Sequence, residues 1–322
     1  MASLLPSNVA VPAPIADTLM AMITQRSAFT ASAAAAANLD AGARLGGTTF
    51  QLGRWKEDTT AAEVIDGSAS TPGNVGSYAD VGPILRRKRP RGIVDGVDAV
   101  LGELVSVSPS QAILAQAADY WAQQIDNSFV QSLTAMFDSS SGALRATHRS
   151  SVAVASGTPV PLSYGNIVDA ATLVGDNSTD LKIVIAHAKQ VANLKKEAGA
   201  KPVNKLLGDR AILEINDMII LTSDFVPTSG SGTFKKYTAV MIRPGALYLA
   251  IQQAMREIVE INATVPEVRI TQTLHWAPLV RGMAYGGAAN PADATLATPA
   301  SWTKATSVDK EIGVVALETN AT

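Results

Sequence analysis

The chain has no cysteine, which removes disulfide frameworks and thiolate metal sites and fits folding in a reducing cytoplasm. Histidine is almost missing too: His148, His187 and His275 are the only three. Their spacings match no local zinc motif, so solvated or structural roles are expected of them. No apolar run reaches the roughly 20 residues that a membrane-spanning helix requires, and the N-terminus lacks the charged-then-apolar pattern of a secretory signal. A soluble chain, intracellular when made, is the expectation. The signatures of common chemistry are also lacking. There is no G-x-x-x-x-G-K-[ST] loop, no G-x-G-x-x-G after a strand, no G-x-S-x-G elbow and no H-E-x-x-H. Asp169, Asp176, Asp180, Asp217 and Asp224 lie near loops, but no spacing singles out a cation-binding pair. Serine and threonine are abundant without an identifiable base nearby. The sequence therefore predicts no catalytic residue, no cofactor and no metal site.

What is present bounds the class. With 322 residues, 47% of them apolar, the chain is long and hydrophobic enough for a large core and two lobes, and too apolar to be disordered. A formal net charge of -2 argues against general nucleic-acid binding, which calls for a basic domain.

One stretch organises the rest. From Ser108 to Phe137, Ile113, Leu114, Ala117, Ala118, Trp121, Ile125, Phe129, Leu133 and Met136 recur at the three-and-four spacing of one helix face. Ser108 as N-cap, Pro109 at the first helical position and Gln111 mark its start. Before it, Met1 to Leu45 is rich in alanine, serine and proline, with a short helix within Val11 to Arg26, and reads as an arm, a frayed terminus being the alternative. Thr48 to Trp55 and Ser77 to Arg89 read as two strands joined by the polar stretch Lys56 to Gly76, which holds the turn signals Asp66-Gly67 and Thr71-Pro72-Gly73-Asn74. An isolated two-stranded ribbon is marginal in water, so this one is expected to rest on something else, a neighbouring subunit being one candidate. It ends in Arg86, Arg87, Lys88, Arg89 and Arg91. Alternation along a strand splits these charges between two faces, which favours salt bridges to acidic partners on other subunits over a nucleic-acid patch. Trp55 and Trp121 are read as packing or interface residues.

After the helix the pattern changes to short alternating elements: helices over Ser163 to Val174 and His187 to Ala198, strands over Leu181 to Ala186, Met218 to Leu221, Tyr237 to Ile242 and Ala246 to Ile251. This predicts an inserted α/β lobe. Period-two alternation then returns, with Val259, Ile261, Ala263 and Val265, a turn at Pro266-Glu267, and Val268, Ile270, Leu274 and Trp276. The expected core of the first lobe is the long helix lying across this antiparallel sheet. The tail contains one further strand, Ile312 to Leu317, to be added to a sheet edge of its own chain or a neighbour's.

The order of segments resembles the major capsid proteins of tailed bacteriophages with the Hong Kong ninety-seven type of coat fold. The resemblance rests on Gly46-Gly47-Thr48-Thr49-Phe50, Ala69-Ser70-Thr71-Pro72-Gly73, Arg86-Arg87-Lys88-Arg89-Pro90-Arg91, Ala118-Asp119-Tyr120-Trp121 and Leu181-Lys182-Ile183-Val184-Ile185-Ala186-His187. It implies an α+β fold divided into an N-terminal arm (1–47), an extended E-loop (48–91), a peripheral domain with spine helix and long hairpin (92–155 and 256–287), an axial domain (156–255) and a C-terminal extension (288–322). It implies a structural protein, not an enzyme, that builds pentamers and hexamers of an icosahedral shell around double-stranded DNA. The resemblance further implies a portal and a separate scaffolding or decoration protein as partners, only non-specific contact with DNA, no membrane, assembly in the bacterial host cytoplasm and residence in the virion. Trp55, Lys56, Arg86, Arg87, Arg89 and Arg91 are the expected intersubunit contacts. Some family members carry a long cleaved scaffolding segment; with roughly fifty residues before the loop here, scaffolding is expected to come from elsewhere or to be unnecessary, and some members crosslink a loop lysine, for which Lys56 has no identifiable acceptor. The alternatives from other classes are an encapsulin-like nanocompartment shell and an α/β enzyme.

Overall fold

A computed structural model describes residues 9–10, 13–32, 35–38, 47–56, 76–94, 109–197, 203–207, 210–215, 218–224, 226–262 and 267–320. The turn signals between Lys56 and Gly76, the capping Ser108, the hairpin turn at Pro266 and the loop Asp217 lie outside the described residues.

The spine helix runs over Pro109–Met136. Its inward stripe, Ala117, Trp121, Ile125, Phe129, Leu133 and Met136, is fully buried, as the three-and-four spacing requires. At about 1.5 Å per residue a helix this long spans roughly 40 Å. The chain then doubles back over the helix end. The N–H of Leu144 donates to the Met136 carbonyl at 2.9 Å, and a Cβ at Gly142 would lie 2.5 Å from that same oxygen, so only glycine fits the crossing.

The segment expected as an arm is instead a layer of the core. The helix Ala13–Arg26 lies along the spine, with Leu19 and Ile23 buried, and the Phe29 ring stacks on Phe129 at 5.2 Å. A polar fastening fixes the register: buried Asp126 of the spine accepts Ser27 Oγ at 2.6 Å and the Ala28 N–H at 2.9 Å. Arg26 adds an ion pair to Asp119 at 2.9 Å. Leu19, Met20 and Ile23 of this helix are buried within their own chain.

Three sheets surround the spine. In the first, Val9–Ala10, Leu247–Asn262, Glu267–Val280 and Leu85–Val94 lie side by side, and Ala35–Asn38 pairs parallel with the start of Leu247–Asn262. Leu274 and Trp276 of this sheet face the spine. Trp276 meets Trp121 edge to face at 6.1 Å, Trp121 Nε1 donates to Gln272 Oε1 at 3.1 Å, and Trp276 Nε1 donates to Ser128 Oγ at 3.1 Å. The expected strand Ala246 to Ile251 and the first strand of the long hairpin prove to be one 16-residue strand, so this sheet begins at Leu247 and not near residue 256. The reason is burial on both sides: Leu247, Leu249 and Ile251 pack toward the spine while Ala250 packs toward the other face.

The second sheet builds the inserted lobe, in the order Arg149–Ser151, Val314–Asn320, Lys236–Ile242, Ile183–Ala186, Met218–Thr222, Arg210–Ile215 and Val203–Leu207, with Thr228–Ser229 beside Lys236–Ile242. The helices Tyr164–Ala171 and Ala188–Lys196 belong to this lobe. The tail strand therefore does not extend away from the body. Val314–Asn320 is paired along its whole length with Lys236–Ile242, and Val314, Val315, Ala316 and Leu317 are buried, as a continuous apolar run demands of an interior strand.

The third sheet contains the ribbon, Thr49–Trp55 paired with Ser77–Pro83, extended by Met283–Tyr285 and Trp302–Lys304. Phe50, Ile84, Ala250, Ala277 and Leu279 form a separate small core where the ribbon root rests on the back of the first sheet. The root is thus supported by its own chain, while Trp55 at the far end of the strand is exposed. No described helix is long and apolar enough to cross a membrane.

Candidate functional site

The ribbon is clamped at its root by a buried carboxylate. Asp80, 1% exposed, accepts the Gly282 N–H at 2.7 Å and pairs with Arg54 Nε on the opposite strand. Burial pushes the Asp80 carboxyl above the ordinary carboxylate range, while Arg54 and the Gly282 N–H work in the other direction. Gly282 has φ +78°, and a Cβ there would sit 2.7 Å from Ile312 Cγ1. Around this clamp, Arg243 donates to the Glu311 carbonyl at 3.1 Å and Thr306 Oγ1 donates to Glu311 Oε2 at 2.6 Å. Burial also raises the Tyr78 hydroxyl, opposed by the adjacent Arg281. The clamp joins the ribbon to the turn at Gly282, which packs beside Ile312, just ahead of the last strand of the lobe, so it fixes the direction in which the ribbon leaves the body. Sequence reading missed it, because lone Asp80 and Gly282 lie 202 residues apart and carry no local motif.

The outer end of the ribbon is different. Trp55 is 75% exposed, and the ladder closes with the Lys56 N–H donating to the Gly76 carbonyl at 2.8 Å. Most large aromatics are buried in their own fold, and this indole is open to water.

The basic run lies on the return strand Leu85–Val94 and divides as alternation requires. Arg87 and Arg89 share the spine side with buried Leu85. Arg87 donates to Asn290 Oδ1 at 2.9 Å and pairs with Asp293 at 3.3 Å, and the Arg89 guanidinium lies 4.5 Å from the centre of the Tyr120 ring. These two, expected to reach a neighbour, are held by their own chain, because their face of the strand is the one that packs on the spine. Arg86 and Lys88 point to the other side and are exposed. Arg86 donates to the Gly47 carbonyl at 2.9 Å. The backbone of Arg91 pairs with Ile270, and its side chain lies outside the described residues.

The histidines are not brought together. His148 is buried, with Nε2 3.0 Å from the Asp309 carbonyl, and desolvation lowers its pKa. His187 caps the helix Ala188–Lys196 through the Lys189 N–H, with Gln190 completing the capping box. His275 faces out from the first sheet, its pKa lowered by desolvation and by the charge of Arg86. Asp169, Asp176, Asp180 and Asp224 are spread over the lobe surface, and no group of three metal-ligating side chains occurs among the described residues. A cavity of about 380 Å³ between Tyr164, Val168, Leu181 and Met218 is mostly apolar and brings no acid-base pair together.

The family model of Gp13-like proteins, described as major capsid protein 13-like, matches residues 106–315 of the chain. That match runs from the start of the spine to the last strand of the lobe. No curated protein matches the chain in sequence. Among solved structures, the head of Helicobacter pylori bacteriophage KHP40 is similar with a TM-score of 0.57 at 10% identity, covering 92% of this chain and 91% of that one. The capsid of Ralstonia phage GP4 is similar with a TM-score of 0.54 at 13% identity, covering 93% and 90%. The capsid asymmetric unit of Cyanophage Pam1 is similar with a TM-score of 0.52 at 11% identity, covering 89% and 88%. At such identities the likeness is one of fold.

Proposed function

The chain belongs to the Gp13-like major capsid protein family, and from that membership we propose that it is the coat subunit of a tailed phage, assembling with copies of itself into the pentamers and hexamers of an icosahedral shell around double-stranded DNA. The match over spine and lobe carries this reading, and the coat fold shared with three phage heads supports it. The physics agrees. A ribbon that is fixed at its root and open at its end presents Trp55 to a neighbour, and contacts between unlike surfaces that close under rotation generate rings. Interfaces of obligate assemblies are large, above about 2,000 Å².

In this reading the ribbon is the E-loop, the spine with the long hairpin is the peripheral domain, and the inserted lobe is the axial domain. Trp55, Lys56, Arg86 and Arg91 meet neighbouring subunits, while Arg87 and Arg89 hold the return strand to its own spine. The subunit has a structural role without turnover. A portal and a scaffolding or decoration protein complete the particle, which is assembled in the host cytoplasm. A coat with a formal net charge of -2 touches packaged DNA only non-specifically, which suits a container that must release it. Negative-stain electron microscopy of the purified protein tests the proposal: shells, tubes or capsomers are expected, and a solitary monomer at every concentration tried overturns it.

A further inference from the structure

Around the clamp at the ribbon root stand three arginines from three separate segments. Arg54 pairs across the ribbon with Tyr78 and binds Asp80, whose other oxygen takes the Gly282 N–H. One residue back, the Arg281 N–H donates to the Ala246 carbonyl at 2.8 Å, and the Ala246 N–H donates to the Arg243 carbonyl at 2.9 Å. Arg243 packs over Gly313, where a Cβ would lie 3.0 Å from its Nε. Burial and then the Arg281 charge lower the pKa of Arg243, with Arg54 adding to them and Asp180 opposing, as expected of like charges held close together.

The buried carboxylates of this group, Asp80 and Glu311, leave one positive charge over, and burial favours the neutral form of Asp80. Asp180 is exposed, so water screens its charge. Two donors are also left over. The Arg281 guanidinium lies beside the Tyr78 hydroxyl, yet both that hydroxyl and Arg281 Nε are buried without a hydrogen-bond partner among the described residues. Native folds rarely leave such donors orphaned, and Tyr78 is only 8% exposed. Arg243 and Arg281 are partly buried, and the side chain of Arg54 is 25% exposed, so a turn of Arg281 opens the group to a small solute.

We infer that this group is a binding site for a small inorganic oxyanion of the phosphate or sulfate type, held by the Arg281 and Arg243 guanidiniums and the Tyr78 hydroxyl. Such an ion offers several acceptors at once, and an arginine fork matches two of its oxygens. A water molecule satisfies the donors but leaves the surplus charge without a counterion. Bound there, the anion ties the ribbon strand Ser77–Pro83 to the Gly282 turn and to the Arg243 segment. The inference concerns the single chain and stands apart from the coat reading.

Calorimetric titration of the full-length protein with phosphate, at ionic strength held constant with chloride, tests it. A saturable isotherm with one ion per chain is expected, and sulfate should compete for the same site. Saturation is the deciding feature, because excluded salts of this type stabilise proteins in general without occupying a site. Arg281→Lys, which keeps the charge but loses Nε and the fork, and Tyr78→Phe should each weaken binding by about tenfold, the loss expected of one hydrogen bond to a charged group. Lys195→Gln, on an exposed helix position of the lobe, should leave binding unchanged. No saturable binding to the wild type overturns the inference, and so does an isotherm that Arg281→Lys or Tyr78→Phe leaves unaltered. Should either variant fail to fold, amide exchange at Gly282 in the wild type reads the same point: it slows as phosphate saturates, and exchange indifferent to phosphate overturns the site.

Discussion

The Asp80 carboxylate and the Gly282 N–H meet at 2.7 Å although 202 residues separate them, and through this contact the ribbon is tied to the body. Asp80 is buried and its pKa is raised mainly by desolvation, so the folded state holds a proton more readily than the unfolded one. Stability from that protonation is present at low pH and is lost as pH rises through the raised folded pKa. Asp80→Asn keeps an oxygen for Gly282 and removes the ionised form, so at neutral pH it should cost under about 1 kcal/mol. Asp80→Ala leaves Arg54 and the Gly282 N–H without their acceptor and should cost about 3 kcal/mol. On acidification from neutrality the wild type should gain relative to Asp80→Asn. Chemical denaturation of the dissociated subunit at several pH values reads both effects.

Gly282→Ala attacks the same contact from its other side. The residue has φ +78° and no room for a Cβ beside Ile312. Strain of this type costs on the order of 1–3 kcal/mol, and the clash adds to it. The unfolding midpoint should fall by more than it does for Gly245→Ala, at φ +73° with open space around it.

The two tryptophans between spine and sheet are held by polar partners. Ser128→Ala removes the acceptor of Trp276 Nε1 where both residues are buried, and an orphaned buried donor costs about 1–3 kcal/mol. Ser141→Ala, at an exposed position past the end of the same helix, should stay within about 0.5 kcal/mol of wild type. Paired thermal melts separate the two.

The sequence made some of this plain and hid the rest for definable reasons. The spine was legible almost to its ends, read as 108–137 and found as Pro109–Met136, because one apolar stripe repeats over eight turns. The split of the basic run followed from strand alternation alone, although which half packs inward depends on Tyr120 and Asp293, distant in sequence. The strand Leu247–Asn262 was cut in two because register shifts between Ile251 and Arg256 interrupt its alternation. Pairing of Val314–Asn320 with Lys236–Ile242 is a long-range choice, and no local signal distinguishes it from addition to another chain. The clamp at Asp80 leaves no trace in the sequence, since its members share no spacing.

Trp55→Ser separates assembly from folding. The indole is 75% exposed, so its loss should leave subunit stability within about 0.5 kcal/mol of wild type. If a neighbour covers it, the change should shift the concentration needed for assembly upward by tenfold or more, since central aromatic contacts are worth about 2 kcal/mol or more. Light scattering against protein concentration, with a thermal melt of the dissociated subunit, gives both numbers. Equal assembly of the two proteins would remove Trp55 from the interface.

His148 gives the opposite pH response to Asp80. Its ring is buried between Thr147, whose hydroxyl lies 2.8 Å from Nδ1, and the Asp309 carbonyl. Desolvation lowers its pKa below 6.5, and the nearby Lys304 charge acts in the same direction while Asp309 opposes both. The unfolded chain therefore takes up a proton near 6.5 before the folded one does. Stability from the neutral ring is present above that pH and is lost as pH falls toward the lower folded value. His148→Gln should lower stability at neutral pH by about 1–3 kcal/mol through the altered hydrogen bonds, and should flatten the decline below 6.5 that the wild type shows. Because the His148 carbonyl also accepts the Ala316 N–H at 2.9 Å, acid loosening at this ring reaches the buried strand Val314–Asn320. Hydrogen exchange at Ala316 should accelerate between pH 6.5 and 5 in the wild type, after correction for the intrinsic rate, and not in His148→Gln.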